Sequence, residues 1–193
     1  IISTREQNWH DLFNAFIWLL FPRTKNLLNQ LHMQELQLQR GKKRTPLRDT
    51  ITHLDESGII VASSEKSLIE ALQNHHWKEA FQENRMLWWQ QAGAYIFGHG
   101  LYEKAFNPFI GFTGKAYYIE VEEAFFQQDK ITQYRQLDSL LETDIMVNRT
   151  LEQHRFLKPL PVLGVPGWYQ ENQQAAFYDN TDYFRPLGVH AVK

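Results

Sequence analysis

The stretch TREQNWHDLFNAFIWLL, Thr4 to Leu20, constrains this chain more than any other. It opens polar and turns apolar on nearly every side, with Trp9, His10, Asp11 and Asn14 at the changeover. A helix of that composition is expected to be buried on more than one face, so its polar groups need partners from elsewhere in the fold. Asn14, hemmed in by Phe13 and the run from Ala15 to Phe21, is expected to be buried and bonded outside its own helix. Ser3 or Thr4 is the expected cap, with Glu6 or Gln7 at the capping-box position. Phe21-Pro22 stops the helix, because a residue before proline is pushed out of helical backbone. Pro22 then opens a second helix reaching Gln39, with Leu27, Leu31 and Leu38 near one face. The two helices are expected to pack as a tight corner at the centre of the fold.

A chain of 193 residues suits one domain with a proper core, taken here as residues 1–193. Its net charge of -2 gives no general affinity for nucleic acid, although a local basic groove is compatible with it. Cys 0 removes disulfides, thiol nucleophiles and cysteine-ligated metals, and fits a reducing, cytoplasmic setting. The longest apolar run, Ala15 to Phe21, is far shorter than the roughly 20 residues of a membrane span. No signal-peptide pattern precedes it. The first residue is isoleucine, from which a missing native amino-terminal segment is expected.

Further along, Arg40-Gly41-Lys42-Lys43-Arg44 reads as a solvated basic loop, with phosphate or nucleic-acid contact as the sharper alternative. Thr50–Leu54 and Ile59–Ala62 read as a hairpin around Asp55-Glu56-Ser57-Gly58, with Gly58 at positive φ and both acids as exposed turn formers. A helix is expected over Glu65–Asn74, capped by Ser63 or Ser64, and another over Trp77–Gln91, with His75 and His76 at the junction pointing apart. Ala94–Phe97 is a short apolar run, and Lys115–Val121 a strand with Tyr117, Ile119 and Val121 on one face. Lys130–Asn148 carries a clear helical stripe that includes Leu137, Leu141 and Ile145. From Lys158 the prolines exclude a regular helix, and the rings of Trp168, Phe177, Tyr178, Tyr183 and Phe184 point to a long ordered coil sealing the core. The fold class is therefore α+β, or an irregular α/β: mainly helical, with a small sheet and a proline- and aromatic-rich carboxy-terminal coil.

Chemistry concentrates at Gly98-His99-Gly100. Glycines on either side of a histidine let another segment approach closely. The dinucleotide fingerprint and the phosphate-loop spacing are both missing, so this is no nucleotide loop. Glu103 lies at i,i+4 from His99, on the same face of a helix starting there. A carboxylate beside an imidazole can hold its tautomer and raise its pKa, although a purely structural pair has the same pattern.

The phrases TREQNWHDLFNAFIWLLFPRTKNLLN, LRDTITHLDESG, FGHGLYEK, PLPVLGVPGWYQEN and FYDNTDYFRP, in this order over nearly the whole chain, resemble the bacterial family catalogued as domain of unknown function 3025. The resemblance implies a bacterial source and a further stretch before the first motif, and brings no activity, substrate or cofactor. It places chemically capable groups in the shared motifs, among them His10, Asp11, Asn14, Lys25, Arg48, His99, Glu103 and Lys104.

Three functions follow from these residues. The first is a module binding a small molecule or protein, or a structural unit, organised by a buried polar network. The second is a metal-assisted hydrolase with catalytic candidates His10, Asp11, Asn14, His99 and Glu103. In it His10, His99 and Glu103 ligate a divalent metal, and Lys25, Arg48 and Lys104 bind the ligand. A metal-free version uses His10 or His99 as general base. The third is a nucleic-acid-associated protein using the basic loop. HExxH and the nucleophile elbow are both missing, which excludes the standard zinc-protease and serine-hydrolase patterns.

Overall fold

A computed structural model describes residues 5, 8–38 and 44–188. Four strands form one mixed sheet in the order β2-β1-β3-β4. β1 (Gly58–Ser63) pairs antiparallel with β2 (Ala92–Ile96) and parallel with β3 (Thr113–Glu120). β4 (Lys158–Pro161) closes the far edge antiparallel to β3. Every residue of β1 is buried, as a central strand covered on both faces must be. Alternation then sorts its side chains: Ile59 and Val61 enter one core, Ile60 and Ala62 the other.

The second core lies under the long helices α1 (Trp9–Leu20), α2 (Pro22–Leu38), α3 (Pro46–Ser57) and α7 (Lys130–Asn148). Ile17, Phe21, Leu28, Leu54, Leu137 and Leu141 meet Ile60, Tyr117 and Ile119 there. The opposite face is covered by α4 (Lys66–Gln73), by Trp77, Phe81 and Trp88, and by Tyr178, Tyr183 and Phe184 from the tail. The result is a mainly helical fold around a small mixed sheet.

Sequence and structure part at several places. The expected hairpin over Thr50–Ala62 does not form: Thr50–Leu54 belongs to α3, and only the second half is a strand. Thr45 caps α3 by accepting from Arg48 N, Pro46 sits in the first turn, and Ile51 and Leu54 bury one face. Those signals outweigh the turn chemistry of Asp55–Gly58. Gly58 accordingly has φ -70°, not positive. The helix expected over Trp77–Gln91 is broken into a π-helical turn, Glu79–Glu83, and a short α5, Leu87–Gln90. Lys158–Pro161, expected as coil, is an edge strand. Its prolines alternate with Leu160 and Val162, and Val162 N donates to Phe112 O, so the missing donors point away from the ladder.

α1 also departs from expectation. Asn8 caps it through Asp11 N, while Ser3, Thr4, Glu6 and Gln7 lie outside the described residues. The helix is peripheral rather than central, with Ile17 its only buried residue and Trp9, Leu12, Phe16 and Leu19 on an exposed face. α1 packs against α2, α6 (His99–Ala105) and α7, which cover one side of it only.

Polar groups between the elements are tied together. Asp138 of α7 accepts from Arg23 N at 3.0 Å and from Thr24 N at 2.8 Å, taking up two orphan donors at the start of α2. Tyr117 donates to Asp144 at 2.6 Å and meets Thr150 at 2.7 Å. Tyr95 donates to Gln133 at 2.7 Å, and Arg85 holds Asn172. This is a buried network of hydrogen bonds and ion pairs. No described helix is long and apolar enough to cross a membrane.

Candidate functional site

α6 (His99–Ala105) begins where β2 ends, and its first residue is His99. Glycine on each side is a steric requirement. A Cβ on Gly98 would lie 2.3 Å from Gly58 N and 2.4 Å from Ser57 N, and one on Gly100 would lie 2.9 Å from Glu56 O. The segment that approaches is therefore the end of α3, and it brings Glu56 to His99. From the other side α1 supplies His10.

The two imidazoles face each other, Nε2 to Nε2 at 2.9 Å, with ring planes 74° apart. Glu56 Oε2 lies 3.6 Å from His99 Nε2 and 4.0 Å from His10 Nε2. His10 Nδ1 lies 3.1 Å from Glu103 Oε2. A carboxylate accepts only, so Nδ1 of His10 carries hydrogen and Nε2 presents its lone pair to the cluster. His99 is buried, and the other nitrogen of its ring, Nδ1, has no hydrogen-bond partner among the described residues. Desolvation pushes the His99 imidazole below its usual value, with Asp55 and Glu56 opposing and Lys25 and His10 adding to the fall.

His10, Glu56 and His99 form a candidate metal-chelating cluster whose donor atoms lie within 4.8 Å of one another. Tetrahedral bonds of 2.0–2.1 Å separate neighbouring donors by about 3.3 Å, so distances of 2.9, 3.6 and 4.0 Å bracket what a small divalent ion needs. Glu103 on the far nitrogen of His10 is the orienting carboxylate such sites use. Three protein donors leave further positions toward an open depression lined by Gly100, Glu103 and Lys104.

The residues expected from sequence are thus distributed unevenly. Glu103 contacts His10, not His99, and stands behind the ring rather than among the converging donors. Asp11 gives both its oxygens to Arg5, whose guanidinium holds that carboxyl down to about 2. Asn14 is only half-buried, and accepts from Lys25 Nζ at 2.8 Å, outside its own helix. Lys25 is buried and also pairs with Asp55. Arg48 is half-buried on α3, and Lys104 is exposed beside the depression. Arg40 to Lys43 lie outside the described residues, and Arg44 is turned onto Thr52 and Asp49 of α3.

Glu56 and Asp55 are the functional groups that sequence reasoning missed. On a helix, neighbours point about 100° apart, and here one reaches the histidines and the other Lys25. The Thr45-Pro46 helix start was the signal that would have found them. Beyond Glu56, a cleft of about 620 Å³ opens between α1, α2 and α3, lined by Trp18, Lys25, Asn26, Asn29, His32 and Asp55 among others.

The chain is therefore a mainly helical protein on a four-stranded mixed sheet, with a His/Glu/His cluster where α1, α3 and α6 meet. It belongs to the family described as Protein of unknown function (DUF3025), which matches residues 1–188. No curated protein and no solved structure gives a significant match.

Proposed function

We propose that this protein is a divalent-metal-binding module in which His10, Glu56 and His99 hold the ion and Glu103 orients His10. One observation carries the reading: two imidazole Nε2 atoms converge at 2.9 Å beside a carboxylate, with the outer nitrogen of His10 fixed by a second carboxylate. Facing lone pairs repel unless a proton or a cation lies between them, and a metal satisfies both together with Glu56. The surrounding Lys25, Asn14 and Asp55 network serves as the rigid wall of a ligand site, within what we take as one domain spanning residues 1–193. A bacterial, cytoplasmic setting accords with the family resemblance and with a chain lacking cysteine.

A second reading, metal-assisted hydrolysis, is favoured by the number of protein donors. Three leave room for water or substrate, and the adjoining depression gives access. In it His10 and His99 are ligands rather than bases, and Lys104 at the rim meets an incoming negative charge.

Calorimetric titration with zinc and manganese tests the binding reading. The wild type is expected to take up one ion per chain, and His10→Ala to lose it while keeping its melting curve in metal-free buffer. Equal, weak uptake by both proteins overturns the proposal.

A further inference from the structure

The cleft between α1, α2 and α3 has a lysine for its floor. Lys25 is 4% exposed. Its ammonium has three donors; two end on Asn14 Oδ1 and on Asp55. The acceptor that remains among the described residues is the face of Trp18, whose centroid lies 5.5 Å from Nζ. A ring face is a weak acceptor that an oxygen atom displaces.

The walls define what that oxygen belongs to. Asn26 and Asn29, one turn apart on α2, offer uncharged donors and acceptors, and Trp18, Leu28 and Ile51 supply apolar surface. Burial, together with Arg48 and Arg44 nearby, pushes the imidazole of His32 down, so that ring is neutral at pH 7. Lys25 and Asp55 cancel in charge. Glu56, which lines both this cleft and the depression beside the histidines, is more than balanced once a divalent ion sits on it. The charged side chains of its lining, Lys25, Asp55 and Glu56, then leave the loaded cleft positive, whereas without the ion they leave it negative. At about 620 Å³ it is also much larger than an inorganic anion needs, and lies in the range of small-molecule sites.

We propose that the cleft binds a small organic oxyanion, a phosphate- or carboxylate-bearing molecule whose charged oxygens meet Lys25 and whose uncharged body lies along Asn26, Asn29 and Trp18. The inference deepens the metal-binding reading, on which its charge balance rests, and names a ligand class for the same site.

Phenyl phosphate, inorganic phosphate and acetate are the probes, titrated into the full chain with and without zinc. Asn29→Asp, an exposed position on the cleft wall, adds a negative charge without disturbing the core. Zinc-loaded wild type is expected to bind phenyl phosphate more tightly than inorganic phosphate, and the variant to bind it at least tenfold more weakly with unchanged zinc affinity. Acetate binding in preference to phosphate selects the carboxylate form of the ligand. Zinc uptake with no response to any of the three anions overturns this inference and leaves the metal site standing. Anion binding without zinc uptake removes the charge balance on which the inference rests and overturns it together with the metal. An Asn29→Asp variant that binds phenyl phosphate as the wild type does places the anion elsewhere and overturns the inference.

Discussion

Glu103 Oε2 lies 3.1 Å from Nδ1 of His10, on the ring nitrogen that faces away from His99. A carboxylate in that position selects one tautomer and aims one lone pair. That division of labour, Glu56 among the converging donors and Glu103 behind them, makes distinct predictions for two acidic residues of similar exposure.

Glu103→Gln keeps an acceptor but removes the charge, and is expected to weaken zinc binding by about 10- to 100-fold, as loss of an orienting partner does. Glu56→Gln removes a donor from the cluster and is expected to cost more. Competition titrations against a chelator rank the two. An order reversed from this assigns Glu103 to the ion and Glu56 to the support.

Gly98→Ala is expected to destabilise the protein by about 3 kcal/mol, because its Cβ would meet backbone atoms of Ser57 and Gly58 rather than movable side chains. Relief requires α6 and the end of α3 to separate, which parts His99 from Glu56. Urea unfolding gives the first quantity and zinc affinity the second. A variant with wild-type midpoint and metal affinity contradicts the close packing.

Much of this architecture was legible where one signal acted alone. The stripe of α7, the Phe21-Pro22 break and the alternation of β3 needed no tertiary context; α2 starts at Pro22 and α7 spans Lys130–Asn148 as expected. Gly98 and Gly100 announced a close approach without saying of what. The identity of the approaching segment was lost through the hairpin reading of α3. Turn-forming Asp55, Ser57 and Gly58 competed with the Thr45-Pro46 start, and a helix ending directly in a strand leaves no loop to mark the join. Glu56 was misplaced with it. The exposure of Leu12, Phe16 and Leu19 was illegible for another reason: composition tells that a helix is apolar all round, not how many neighbours it has.

The cap that decided α3 can be tested directly. Thr45→Ala removes the acceptor for Arg48 N and is expected to cost about 1 kcal/mol. The same loss cannot arise if Thr45 lies in an unstructured approach to a hairpin. Chemical denaturation of the two proteins settles it, and an unchanged midpoint counts against the cap.

Lys25→Met strands Asp55 and Asn14 together. Breaking a buried pair costs about 3–5 kcal/mol, and because Asp55 keeps some solvent the expected loss is about 2–3 kcal/mol. Replacing Asp55 by leucine in the same variant is expected to recover part of it, since no charge is then left unpaired. A double variant less stable than Lys25→Met places the loss in packing rather than in charge.

Acid sensitivity follows from the histidines that the fold keeps neutral. Burial is the largest cause lowering His99, His32 and His75 from the ordinary value of 6.5. For His99, Asp55 and Glu56 pull the other way while Lys25 and His10 add to the fall. Each of these rings binds its proton more readily in the unfolded chain. The stability they contribute is complete above about pH 6.5 and is lost as pH falls toward the folded-state values. Metal-free protein is therefore expected to lose stability as pH falls below about 6.5, before most carboxylates protonate. His99→Gln should flatten that slope, since one of the three rings is gone. Zinc affinity should also decline as pH falls, because a proton on Nε2 of His99 competes with the ion. Urea midpoints at several pH values, with and without zinc, check both statements. A wild-type midpoint that stays level or rises on acidification through this window contradicts the burial of neutral imidazole on which the site depends.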